Sequence, residues 1–152
     1  MEIHKELDHP NIAKCHEIIE KNNNFYFILE YCPHGTLDNF IKKFNNLSES
    51  VTTNILEQIM SGYKYLMTKK IIHRDLKPPN ILKSGFVWKI CDFGFSVKGK
   101  KNLIGELNVG TPSYMAPESL QRNYYSPKTD FFSFGVICYE MLFGNPPWNH
   151  KN

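Results

Sequence analysis

No two of the chain's four cysteines, Cys15, Cys32, Cys91 and Cys138, stand as a Cys-x-x-Cys pair, and each lies in an apolar neighbourhood. Buried, reduced thiols in a cytoplasmic chain are therefore the expectation. Gly-x-Gly occurs nowhere among the nine glycines, so no glycine-rich phosphate loop of that form is present. Long hydrophobic runs are missing too. The apolar stretch from Phe131 to Phe143 is too short for a membrane span and carries Glu140, which argues for a buried core helix. Glu2, His4, Lys5 and Glu6 break any apolar start, so no secretory leader is expected. Charge of one sign is scarce: a net charge of +3 is too small to argue for nucleic acid, and Lys98 to Lys101, without interleaved aromatics, reads as a solvated loop. What is left is an ordinary globular composition, 41% hydrophobic, 14% aromatic and 22% charged over 152 residues. That length suits one domain or one large piece of one, burying roughly 68–70% of its unfolded surface.

The densest chemistry lies in Ile71-Ile72-His73-Arg74-Asp75-Leu76-Lys77-Pro78-Pro79-Asn80-Ile81-Leu82. Two apolar pairs bracket a polar centre that holds a carboxylate, an ammonium and an amide. Asp75 could accept a proton from a hydroxyl, Lys77 could sit against a phosphoryl group, and the Asn80 amide oxygen could hold a divalent cation. Taken alone the string also suits an ordinary turn with a solvated ion pair. Further on, Val87 to Cys91 alternates like a half-buried strand, and Asp92-Phe93-Gly94 and Gly110-Thr111-Pro112-Ser113-Tyr114-Met115-Ala116-Pro117-Glu118 follow.

In order and spacing these strings resemble the signatures of the eukaryotic protein kinases, serine/threonine type. The match comprises the His-Arg-Asp loop with its later Asn, the Asp-Phe-Gly, the Ala-Pro-Glu closing the activation segment, and Asp130-Phe131-Phe132-Ser133-Phe134-Gly135 where the family has a similar string. The resemblance implies an α+β, kinase-like fold: mostly the helical C-lobe with the last strands of the N-lobe. Residues 1–31 would be the end of helix αC and two strands, and residues 32–152 the hinge and a truncated C-lobe. It also implies transfer of the ATP γ-phosphoryl group to protein serine or threonine, with ATP and Mg²⁺ as cofactors and a protein as substrate. Neither nucleic acid nor a membrane is an expected partner, and the oligomeric state is left open. Asp75 would orient or deprotonate the acceptor hydroxyl, Lys77 would steady the phosphoryl group, and Asn80 and Asp92 would hold magnesium. Thr111 would line the acceptor pocket and touch Asp75. Leu82 would form the floor under adenine, Leu29 the gatekeeper, and Glu30 and Cys32 would offer backbone groups to the adenine edge. Phe93 should be buried, and Gly94 should permit the turn that aims Asp92.

The rest of the chain reads as scaffold. Ile3 and Leu7 give residues 1 to 9 one helical face that stops before His9-Pro10. Ile12 to Glu20 and Phe25 to Tyr31 read as strands joined by Lys21-Asn22-Asn23-Asn24. Leu37, Phe40, Ile41 and Phe44 mark a helix capped by Thr36. Val51, Ile55, Ile59, Tyr63 and Leu66 mark a longer one capped near Ser48, and Asp130 to Phe143 reads as a helix buried on every side.

Departures from the family pattern accompany the resemblance. Pro79 stands where many members carry a glutamate that reads a basic residue upstream of the acceptor, and Phe132 replaces the usual tryptophan. The strand lysine, its glutamate partner on αC and the arginine expected to pair with Glu118 are not among these residues, so the stretch alone is expected to be a poor kinase. A silent kinase-like fragment that binds partners, and a phosphotransferase acting on small molecules, stand as alternatives. Val97 to Gly110 contains no Ser, Thr or Tyr, which suggests that Glu106 gives Arg74 a fixed negative charge where other kinases use a phosphate.

Overall fold

The computed structural model describes residues 2–99, 103–104 and 109–148. In chain order the elements are α1 (Glu2–Lys5), β1 (Cys15–Lys21), β2 (Asn24–Leu29), α2 (Leu37–Phe44), α3 (Glu49–Thr68), β3 (Ile71–Ile72), β4 (Ile81–Ser84), β5 (Val87–Ile90), β6 (Val97–Lys98), β7 (Leu103–Ile104), α4 (Pro117–Arg122), β8 (Tyr124–Tyr125) and α5 (Pro127–Phe143). Short 3₁₀ turns occupy Pro78–Asn80 and Pro112–Tyr114. Among the described residues the strands pair antiparallel as β1 with β2, β3 with β6, β4 with β5 and β7 with β8. The class is α+β.

Helix α3 is the axis. Ser48 caps it by accepting the Val51 N–H, and Ile55, Ile59, Tyr63 and Leu66, spaced at three and four, line one fully buried stripe. Val51, at the same spacing, stays exposed. Thr36 and Asn39 form a reciprocal capping box on α2, which adds Leu37 and Ile41 to the core. Helix α3 meets the loop after α1 at Gly62, where a Cβ would lie 2.6 Å from the Asn11 carbonyl oxygen. Asn11 is itself stapled to β5: its carbonyl accepts the Ile90 N–H at 2.9 Å, and its amide donates to the Trp88 carbonyl at 3.0 Å. Asn11 and Ala13 thus bond Ile90 on either side of Ile12, which is bridged to Ile90 and not to β2, so the strand expected from Ile12 begins at Cys15.

The β1–β2 hairpin closes through Asn22 and Asn23, both at positive φ (54° and 58°), the geometry that a two-residue turn between right-twisted strands needs. Every residue of β2 is exposed, from Phe25 through Leu29. Helix α1 ends at Lys5, short of the expected turn before His9, although Leu7 is buried. Helix α5 starts earlier than its apolar run suggests, because Ser126 and Thr129 form a capping box with Pro127 in the first turn. It is also not buried all round. Asp130, Ser133, Ile137, Glu140 and Met141 face the interior, while Phe131, Tyr139 and Phe143 are exposed. The helix is anchored by polar bonds along one side, so its apolar residues are split between inside and out. Two further expectations change. Cys15 and Cys91 are buried free thiols but Cys32 and Cys138 are only half-buried. Lys98 lies in β6, opposite Ile71, with its ammonium on Glu6.

Gly62→Ala should destabilise the protein by about 1–3 kcal/mol, the usual cost of overpacking. Denaturant unfolding measures it, and an unchanged midpoint would show that α3 does not press on Asn11 as described.

Candidate active site

The shape of the loop from Ile71 to Leu82 comes from a carboxylate far away in the chain. Asp130, in the first turn of α5 and 1% exposed, accepts the backbone N–H of His73 at 2.8 Å and of Arg74 at 3.0 Å. Arg74 lies in the left-handed region, φ 69°, a conformation that costs a non-glycine residue about 1–2 kcal/mol. The two charge-assisted bonds hold it there. Burial pushes the Asp130 carboxyl up, against the downward pull of His73 and the two N–H donors. His73 is fully buried. Its Nδ1 accepts the Asp75 N–H at 3.3 Å, so Nε2 carries the proton and donates to the Cys91 carbonyl at 3.0 Å. Phe93, which is buried, lies between the rings of His73 (5.1 Å) and His4 (4.6 Å).

Three side chains converge on Asp75. Its Oδ1 accepts the Thr111 hydroxyl at 2.8 Å, and its Oδ2 takes the Lys77 ammonium at 2.8 Å and the Asn80 amide at 3.1 Å. Lys77 also donates to the Thr111 hydroxyl at 2.8 Å. The Asp75 side chain is 3% exposed and that of Lys77 23%, a burial a carboxylate tolerates only when paired in this way. Thr111 reaches Asp75 because Gly110, at φ 116°, lies against the catalytic loop; a Cβ there would sit 2.7 Å from the Arg74 carbonyl oxygen. Asn80 directs its side-chain amide N–H₂ to Asp75, and its backbone carbonyl accepts the Cys91 N–H at 2.9 Å, which couples this loop to Asp92.

Asp92 is exposed and carries the positive φ itself, 61°, where the sequence suggests that Gly94 would supply the turn. Gly94 instead donates its N–H to Asp92 Oδ1 at 3.2 Å. Aspartate tolerates this region because its short polar side chain bonds locally. Asp92 shares with Leu82, Leu29, Phe27, His4, Cys91, Phe93 and Gly94 the wall of a cavity of about 330 Å³, a size typical of small-molecule sites. Glu30 and Cys32 are not in that wall. The Glu30 carboxylate bonds Lys89 at 3.0 Å and the Lys14 N–H at 3.1 Å; burial pushes it up, but these donors outweigh burial and leave it below the ordinary range. Among the described residues neither the Glu30 carbonyl nor the Cys32 N–H has a backbone partner. Burial raises the Cys32 thiol and pushes that of Cys91 up to about 12, so neither is a ready thiolate. Among the described residues no three His, Cys, Asp or Glu side chains cluster as a metal cage. Asn80 and Asp92 offer oxygen donors, which fit a hard cation such as Mg²⁺ that takes its other ligands from phosphate and water.

The family described as protein kinase domain matches residues 1–152. The chain belongs to the protein kinase family. It is 45% identical over 154 residues to calcium-dependent protein kinase 5 of Plasmodium berghei (strain Anka), covering 99% of this chain and 27% of that protein. It is 37% identical over 150 residues to serine/threonine-protein kinase ATG1a of Arabidopsis thaliana, with 96% and 24% covered. Serine/threonine-protein kinase ULK1 of Homo sapiens is 37% identical over 158 residues, with 97% and 15% covered. The chain thus spans about a quarter or less of these relatives.

In this kinase chain α5 also holds the end of the activation segment. Ser133 donates to the Tyr114 carbonyl at 2.7 Å, and the Tyr114 hydroxyl donates to Glu140 at 2.7 Å. Burial pushes the Glu140 carboxyl up, against the Tyr114 bond. Trp148 donates to the Ser113 carbonyl at 2.9 Å and stacks on Phe132, the residue that replaces the family's tryptophan. Sequence reasoning assigned no role to Asp130, Ser133 or Glu140. The signal was available: acids inside an apolar helix are seldom buried without partners. Glu106 lies outside the described residues. The Arg74 guanidinium is found on the Phe95 carbonyl, with Nε 2.6 Å away, and over the Tyr125 ring.

Asp130→Ala should strand two buried N–H groups at about 1–3 kcal/mol each. Thermal or denaturant unfolding of the full-length protein reads this, and a variant as stable as wild type would contradict the clamp.

Proposed function

We propose that the full-length protein is a serine/threonine kinase that moves the γ-phosphoryl group of ATP to serine or threonine hydroxyls of protein substrates. The single observation behind this reading is the Asp75 carboxylate, buried yet bonded to Lys77, Thr111 and Asn80 at 2.8 to 3.1 Å. A substrate hydroxyl brought to Asp75 would be oriented by it and would give up its proton there. Lys77, 2.8 Å from both Asp75 and Thr111, would lie where charge develops on the transferred group. Asn80 and Asp92 would hold magnesium, which supplies charge neutralisation across the phosphates. Leu82 would lie beneath adenine beside Leu29, with the Glu30 and Cys32 backbone at the purine edge. The Lys77–Thr111 pair supports serine or threonine as acceptor, since tyrosine kinases usually carry a different string after the catalytic Asp. Pro79 removes one means of selecting basic substrates. Four unpaired thiols suit the cytoplasm, where we place the protein.

Asp75→Asn should leave nucleotide affinity nearly intact and slow turnover by roughly 10² to 10⁴. Asp92→Ala should abolish binding of magnesium-nucleotide but not of free nucleoside. Both are read by calorimetry and initial rates on the full-length protein; equal turnover in wild type and Asp75→Asn would remove the central assignment.

A further inference from the structure

Three contacts meet on one buried side chain that none of the kinase motifs includes. Tyr125, in β8 and 1% exposed, lies with its ring centroid 5.1 Å from the Arg74 guanidinium carbon. Its hydroxyl accepts the Val109 N–H at 2.9 Å and donates to the Val109 carbonyl at 2.8 Å. Its backbone pairs with Leu103 in the β7–β8 ladder. Val109 immediately precedes Gly110 and Thr111, the residues that press on the Arg74 carbonyl and reach Asp75. One phenol thus touches both sides of the junction: the catalytic loop through its ring and the activation segment through its hydroxyl. The half-buried Arg74 guanidinium is attracted to the negative face of that ring. A backbone N–H and C=O that share one buried hydroxyl each lose a bond when it goes.

The stretch from Val97 to Gly110 has no Ser, Thr or Tyr, so it carries no hydroxyl for a phosphate. Resting on the kinase reading above, we infer that Tyr125 is the positioning residue that seats the activation segment on the catalytic loop without phosphorylation, binding Arg74 and Val109 at once. The phosphate of other kinases orders this segment by gripping Arg through new charge-assisted bonds. Here the ring occupies the arginine and the hydroxyl orders the chain directly.

The test uses full-length protein treated with phosphatase, as wild type and as Tyr125→Phe, which keeps the ring and removes the hydroxyl. Wild type should keep its kcat/KM after dephosphorylation, and a loss of roughly 10-fold or more would overturn the latch. In Tyr125→Phe, KM for the protein substrate should rise and kcat fall, together about 10- to 100-fold, while the nucleotide Kd stays unchanged. Unchanged kcat/KM overturns the proposal, and so does a uniform loss in which Tm and nucleotide affinity fall together. Hydrogen exchange on dephosphorylated wild type needs no variant: a protected Val109 amide is expected, and free exchange there sinks the latch. The kinase reading fails separately, through an Asp75→Asn variant of normal turnover, so the two failures are distinguishable.

Discussion

Two backbone N–H groups bonded to one buried carboxylate hold the site in shape. Asp130 accepts from His73 and Arg74, and so fixes a left-handed residue directly ahead of Asp75. Without that grip Arg74 would relax toward ordinary backbone, the more favourable by about 1–2 kcal/mol. Asp75 would then leave the reach of Thr111 and Lys77. The same side of α5 continues the work one and three turns on. Ser133 and Glu140 hold Tyr114, so one helix sets the position of both the catalytic loop and the segment that closes over it. Burying these acids costs free energy that each recovers only through its partners. That is why α5 carries Asp130, Ser133 and Glu140 among the buried Phe134, Ile137 and Met141 on its inner side, while Phe131 and Phe143 stay outside.

Asp75 and the three side chains bonded to it concentrate opposite charges where little water enters, so each interaction there is stronger than it would be on the surface. The arrangement also explains why Gly110 has no side chain. Thr111 must come within hydrogen-bond distance of Asp75, and any Cβ at Gly110 would collide with the Arg74 carbonyl. Site chemistry and backbone packing are one constraint at this point. On the other side of the loop, the bond from the Cys91 N–H to the Asn80 carbonyl passes the same positioning on to Asp92.

Much of the scaffold was legible because its signals are local. Thr36 and Ser48 cap helices where their side chains meet N–H groups three residues on, and Ile55, Ile59, Tyr63 and Leu66 repeat at helical spacing. Asn22-Asn23 turns because asparagine accepts positive φ. What escaped was non-local. Ile12 alternates like the strand after it but pairs with Ile90, a partner nothing in its neighbourhood predicts. Ser126-Pro127 announced the start of α5, yet the apolar run drew attention to Asp130. The positive φ falls on Asp92 and not Gly94, since local hydrogen bonding can outweigh the absence of a side chain. Asp75, Lys77, Asn80 and Asp92 could be named from motif spacing alone. The Asp130 clamp and the Tyr125 contacts could not, because both join residues that only the folded chain brings together.

The central claim is that Asp75 and the groups bonded to it direct phosphoryl transfer to an alcohol side chain of a protein. The most direct measurement incubates the full-length protein with magnesium and γ-labelled ATP in the presence of a peptide library containing serine, threonine and tyrosine acceptors, and identifies the labelled residue by mass spectrometry. The account predicts label on serine and threonine, and label confined to tyrosine or to small-molecule acceptors would contradict it.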